Sequence, residues 1–336
     1  MSVKEIIAAE FESLEVFLAK FNFSNFEIQE QIFEEVIATL QRLPQEEGTF
    51  IVSESSKAII LALEEKIIKL VESGQYVKNY KSLVKNFDTI EQIRKEVNAL
   101  VNPKDKLKVF KTETSKIRKG YINKLSESLG KKETFGLNVI DPIKGILFEY
   151  STLGLPVKEA TNRLFDFAMG SGANGGVLVR YSGQVAHDAL FGFTGAIDKE
   201  IGDYIGAADA NYLGNVIKDS RPQCVRWVVK FNGFIPGDQL KSEIQWAKDN
   251  GEGYSKHLPE LTVKTFPIVR GGHNCRHRVI MSKGKSSKVI NDIEDRYKVE
   301  SDKFNEGLEA ELTGITLKRY QAQKAAVEKL VKNFGK

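Results

Sequence analysis

Glycine occurs only at positions 48 and 74 in the first hundred residues, while large apolar residues recur there at steps of three and four. A sheet-rich fold needs turn residues about every 8–12 positions, and this stretch lacks that punctuation. Ile7, Phe11, Leu14, Leu18 and Phe21 fall on one face of a 3.6-residue helix. Ser24 followed by Glu27 has capping-box spacing and predicts the start of a second helix, with Phe26, Phe33, Ile37 and Leu40 inward. A third helix is expected from about Ser53 to Glu72, stopping at Gly74, and Asp88 with Glu91 predicts the cap of a fourth that ends at Asn102-Pro103. A lysine-rich stretch follows, with Val109, Ile117, Tyr121 and Leu125 as its apolar stripe. Residues 1–135 read as a helical bundle or arm.

The formal net charge of +4 conceals an uneven layout. Residues 1–100 hold 11 basic and 17 acidic side chains, whereas residues 103–133 hold 10 basic and 4 acidic. The last 20 residues carry six basic groups and one acidic. Clustered lysines without a base-reading motif suit non-specific contact with nucleic-acid phosphates, or simply a solvated helix face. No run of about 18 apolar residues occurs, so no membrane span is expected. The acidic, amphipathic start MSVKEIIAAEFESLE is unlike a secretory signal. Two cysteines in 336 residues make no disulfide framework and point to a reducing cytoplasm.

Beyond residue 135 the texture changes. Gly154-Leu155-Pro156 predicts a helix through Ala168, then a glycine-rich loop, then a longer helix from about Val177 to Ile205. Short strand-like pieces follow in YLGNVIKD, VRWVVKFNGFI and LTVKTFPIV, with one helix at roughly Gln239–Asp249. The tail from Ser287 returns to helical spacing. The expected fold class is α+β and predominantly helical, in three segments: a helical arm or bundle over 1–135, a helix-plus-small-sheet domain over 136–284 and a basic helical tail over 285–336.

GSGANG at Gly170–Gly175 fits the dinucleotide pattern G-x-G-x-x-G. That motif works between a strand and a helix; here the helical TNRLFDFAM precedes it, so a helix–helix loop is the expected role. A stronger constellation joins DSRPQC (Asp219–Cys224) to GGHNCRH (Gly271–His277). These segments hold both cysteines and two of the four histidines. Cys224, His273, Cys275 and His277 are donors that suit a structural zinc. A buried thiol contact or a disulfide formed in an oxidising medium would use the same cysteines. A metal-dependent nucleic-acid hydrolase could also be built on this cluster, but no acidic residue adjoins GGHNCRH and no HExxH pattern occurs. Asp219 and Arg221 are expected to tie the turn before VRWVVKF to neighbouring backbone.

The order of these pieces over roughly residues 140–282 resembles the phage head morphogenesis family, the minor head proteins of the phage Mu F type. The likeness rests on Arg180 within its helix, Asp219-Ser220-Arg221, Pro222-Gln223-Cys224, Asn232-Gly233-Phe234, Pro267 and Asn274-Cys275-Arg276-His277. A threonine that the family places after this arginine is absent here. The resemblance implies a non-enzymatic virion protein made in the bacterial host cytoplasm and acting in head assembly near the portal or inner capsid surface. It implies portal or major capsid protein as partner, packaged DNA as a non-specific contact, and a structural role for Asp219, Arg221, Asn274 and Arg276.

Overall fold

The computed structural model describes residues 2–102, 111–171, 174–254, 258–273, 275–284 and 287–333. The fold is predominantly helical α+β. Among the described residues no helix is long and apolar enough to cross a membrane. The chain forms two compact units: Met1–Phe17, Val84–Lys124 and Ala186–Glu306 make one; Leu18–Leu83, Leu125–Val185 and Gly307–Lys336 make the other. Each unit interleaves chain from before residue 135 and from beyond it, a division that does not follow the sequence segments.

The second of these units is helical. Its core gathers Ile32, Val36, Leu40, Ile60, Leu63, Ile67, Ile143, Leu147 and Leu164, all almost fully buried. Phe165 of the helix Val157–Met169 meets Phe33 edge-on, with ring centroids 5.4 Å apart, and Tyr320 of the helix Ala310–Asn333 at 5.3 Å. The break expected at Ser24 does not form; one helix runs Phe17–Arg42. Lateral bonds take the place of a cap: Ser24 Oγ donates to Asn79 Oδ1 and Asn25 Nδ2 donates to Ser182 Oγ. Ser53 does cap the helix Glu54–Ser73, and Gly74 ends it. The next helix starts at once, Gln75–Val101, so Asp88 lies inside it and binds Arg118.

The other unit carries a three-stranded antiparallel sheet with Asp209–Leu213 in the centre, flanked by Phe234–Ile235 and Arg278–Ser282. Because side chains alternate along a strand, Ala210 and Tyr212 point to one face and Asn211 to the other. The first face is covered by Cys224, Trp227, Leu240, Ile244, Phe266 and Val269. Two strand expectations fail here. VRWVVKF forms a helical turn, Pro222–Val225, continued by a wider π-type turn over Arg226–Lys230. Proline sets a helical φ and lacks only an N–H that a first turn leaves unpaired anyway. Within LTVKTFPIV, Pro267 starts the helical turn Phe266–Val269 in the same way. The strand Arg278–Ser282 escaped the sequence reading because it is buried at every position and shows no alternation.

On the opposite side of the sheet lies a buried ion network. Arg94 donates to both Asp198 oxygens, at 3.1 and 2.6 Å, and to Glu10 at 2.6 Å. Asn98 Nδ2 donates to Asp198, and the Tyr297 hydroxyl to Glu10. Arg278 reaches Glu15 at 3.2 Å.

Candidate metal centre

The site is assembled by three local devices in the sheet-bearing unit. Asn232 (φ 46°) and Gly233 (φ 71°) form a left-handed pair, a conformation asparagine and glycine tolerate best. The Gly233 carbonyl accepts from the Tyr212 amide at 2.6 Å, which holds the end of the central strand. The helical turn opened by Pro222 presents Cys224 to that strand. The loop at Gly271 closes from the far side: Arg221 Nη1 and Gln223 Nε2 each donate to its carbonyl at 2.9 Å.

These devices bring Cys224, Cys275 and His277 together, with their donor atoms within 4.8 Å of one another. Both cysteines are free thiols. Their exposures are 3%, 4% and 7%, so the cluster is sealed from solvent. Tyr212 Oη lies 3.2 Å from Cys224 Sγ and 3.3 Å from Cys275 Sγ. Cys275 Sγ also meets His277 Nδ1 at 3.6 Å and accepts from the Gly271 amide at 3.3 Å. The Tyr212 ring stacks on His277, with centroids 4.7 Å apart, and meets Trp227 edge-on at 5.0 Å. A Cβ on Gly271 would fall 2.3 Å from Cys224 Sγ.

The electrostatics separate the two sulfurs. The hydrogen bond to Cys275, then burial, pushes the Cys224 thiol far up. Burial acts the same way on Cys275, but bonds with Cys224 and His277 and the nearby Arg270 charge hold it well below the usual thiol range. Burial raises the Tyr212 phenol well above its ordinary value. Arg270, at φ 52°, is itself buried, donating to the Phe191 carbonyl with its guanidinium over that ring.

His273 is not part of the cluster. Its Nδ1 lies 3.1 Å from Asp188 Oδ2, and its amide donates to Gly253. Arg221 ties the turn as expected, but the Asp219 carboxylate is exposed and takes no partner among the described residues. Arg276 points away, 3.8 Å from Glu15. Asn274 lies outside the described residues. Tyr212, Arg270 and Gly271 were missed; only the Gly271-Gly272 doublet before His273 hinted at a close approach of backbone.

The remaining motifs stay apart from this centre. The GSGANG segment forms a minimal pairing of Gly170–Ser171 with Asn174–Gly175 directly after a helix, and Gly172 and Ala173 lie outside the described residues. Residues 103–110 of the basic stretch likewise lie outside them. A surface hollow lined by Ser2, Lys4, Asp292, Asp295 and Arg296 touches none of the cluster. No family model matches the chain, nor does any curated protein or solved structure.

Proposed function

We propose that the chain is a bacteriophage minor head protein, a virion component that acts in head assembly near the portal or the inner capsid surface. One observation supports this reading above the others. The segments that carry the resemblance, DSR, PQC, NGF and the described part of NCRH, lie up to about 60 residues apart, yet Arg221, Cys224, Gly233, Cys275 and His277 all serve one buried sheet-edge core. They act on backbone and on one another, which suits a structural module.

Each unit also exposes lysines of its own. Lys116, Lys119, Lys124, Lys131 and Lys132 face solvent, as do Lys318, Lys324, Lys329 and Lys332. Such groups bind phosphate without reading sequence, which fits contact with packaged DNA. Portal or major capsid protein is the partner this reading requires. A hydrolase built on the same residues would need water and a scissile phosphate at atoms that solvent barely reaches.

The test is mass spectrometry of proheads and mature particles from a host carrying the phage. The chain should be present in both at low copy number relative to the major capsid protein. Its absence from both overturns the reading.

A further inference from the structure

We propose that Cys224, Cys275 and His277 hold one zinc ion with the Tyr212 oxygen at the fourth corner, making a closed structural site. Four observations carry this. A tetrahedron with Zn–S of about 2.3 Å and Zn–N or Zn–O of about 2.0 Å has sulfur–nitrogen and sulfur–oxygen edges of about 3.5 Å. Cys275 Sγ stands 3.6 Å from His277 Nδ1, and Tyr212 Oη stands 3.2 and 3.3 Å from the two sulfurs. Three of the six edges of such a tetrahedron are thus close to their ligand lengths, and the donor atoms of Cys224, Cys275 and His277 all lie within 4.8 Å of one another.

Second, the surroundings are those of a metal–thiolate site. The Gly271 amide donates to Cys275 Sγ, the kind of outer contact that orients a ligating sulfur. Position 271 has no room for a side chain, since a Cβ there would also meet Tyr212 Oη at 2.9 Å. Third, His277 is buried, and its Nδ1 has only the distant Cys275 Sγ, at 3.6 Å, as a hydrogen-bond partner among the described residues. A buried imidazole nitrogen that meets only a sulfur is weakly satisfied by protein alone, and a metal ion between the two would take up its lone pair.

Fourth, the charges close. Arg270 is buried, and no ion pair links it to a carboxylate among the described residues. Zinc with two thiolates and a neutral imidazole is uncharged; a Tyr212 phenolate at the fourth corner makes the site −1, the charge that matches Arg270. Metal entry displaces the remaining thiol and phenol protons to solvent. His273 has no part in this set because Asp188 holds it.

The site is proposed from this geometry alone, and its test is separate from particle composition. The full chain, purified anaerobically without chelator from zinc-supplemented cells, should contain about one zinc by elemental analysis. His273→Ala should keep that zinc. Substitution with Co(II) should give near-ultraviolet charge-transfer bands for two thiolates and tetrahedral visible bands, and Tyr212→Phe should shift the visible bands while keeping the thiolate ones. Should Cys275→Ser fail to fold, the wild-type cobalt spectrum and chelator titration still decide. A metal-free chain that takes up no cobalt, a zinc lost with His273→Ala, a Cys224–Cys275 disulfide in the anaerobic protein, or visible bands unmoved by Tyr212→Phe each overturn the proposal.

Discussion

Arg221 donates to the carbonyl of Gly271 at 2.9 Å, joining two points 50 residues apart in sequence. Gln223 donates to the same oxygen, and the Gly271 amide turns to Cys275. One peptide thus links the Arg221 turn to the sulfur cluster, and its glycine is a steric requirement of the site.

Gly271→Ala is therefore expected to destabilise the sheet-bearing unit. The added carbon would lie 2.3 Å from Cys224 Sγ and 2.9 Å from Tyr212 Oη, an overpacking that costs about 1–3 kcal/mol. Gly120→Ala is the control, because a Cβ there meets nothing within 4 Å and the position is helical; it should be neutral or stabilising by up to about 1 kcal/mol. Both tryptophans, Trp227 and Trp246, belong to this unit, so thermal unfolding followed by their fluorescence reads it directly. Equal melting temperatures for the two variants would refute the steric account.

The helical character was legible because apolar spacing and caps such as Ser53 and Gly74 act locally. So was the meeting of Cys224, Cys275 and His277, because few side chains share their chemistry. What was not legible depends on contacts far apart in sequence. Ser24 looked like a cap, but Asn79, 55 residues away, takes its hydroxyl. His273 looked like a ligand, and Asp188 claims it across 85 residues. The fully buried strand Arg278–Ser282 carries no period for a sequence to display.

The Arg94 network should be the most costly single point to break. Arg94 is fully buried between Asp198 and Glu10, so Arg94→Met leaves two buried carboxylates without their countercharge. Removing one partner of such a group costs about 3–5 kcal/mol. Urea unfolding read by tryptophan fluorescence should show a much lower midpoint. Arg94→Lys should recover only part of the loss, since an ammonium cannot span both Asp198 oxygens. Full recovery with lysine would show that charge alone, without the bidentate geometry, sustains the network.

Glu243 sets an acid limb in the stability of the same unit. Burial by itself would raise its carboxyl, but Arg226, bidentate at 2.6 and 2.8 Å, and Lys230 at 3.3 Å hold it below 4.5. A carboxyl with a depressed folded pKa contributes stability that is present above its unfolded value and lost as pH falls through the folded one. Glu243→Gln should cost about 1–2 kcal/mol at pH 7, and the gap from wild type should close below pH 4.5. A gap that stayed constant into the acid range would mean that the Arg226 pairing does not depend on the Glu243 charge.

The hydrolase alternative makes an opposite prediction from the same cluster. A metal hydrolase needs an open coordination position for water and a base beside it. In the proposed site Tyr212 Oη, within 3.3 Å of both sulfurs, would take the fourth position, and the GGHNCRH segment contains no carboxylate. Purified chain incubated with single- and double-stranded DNA and RNA in zinc, magnesium or manganese should therefore show no cleavage above a Cys275→Ala control. The same preparations should bind DNA weakly, with an affinity that falls steeply as salt rises, since solvated lysines contact phosphate without reading sequence. Cleavage by the wild-type chain that disappears with Cys275→Ala would move the cluster from structure to catalysis and displace the structural reading of this module.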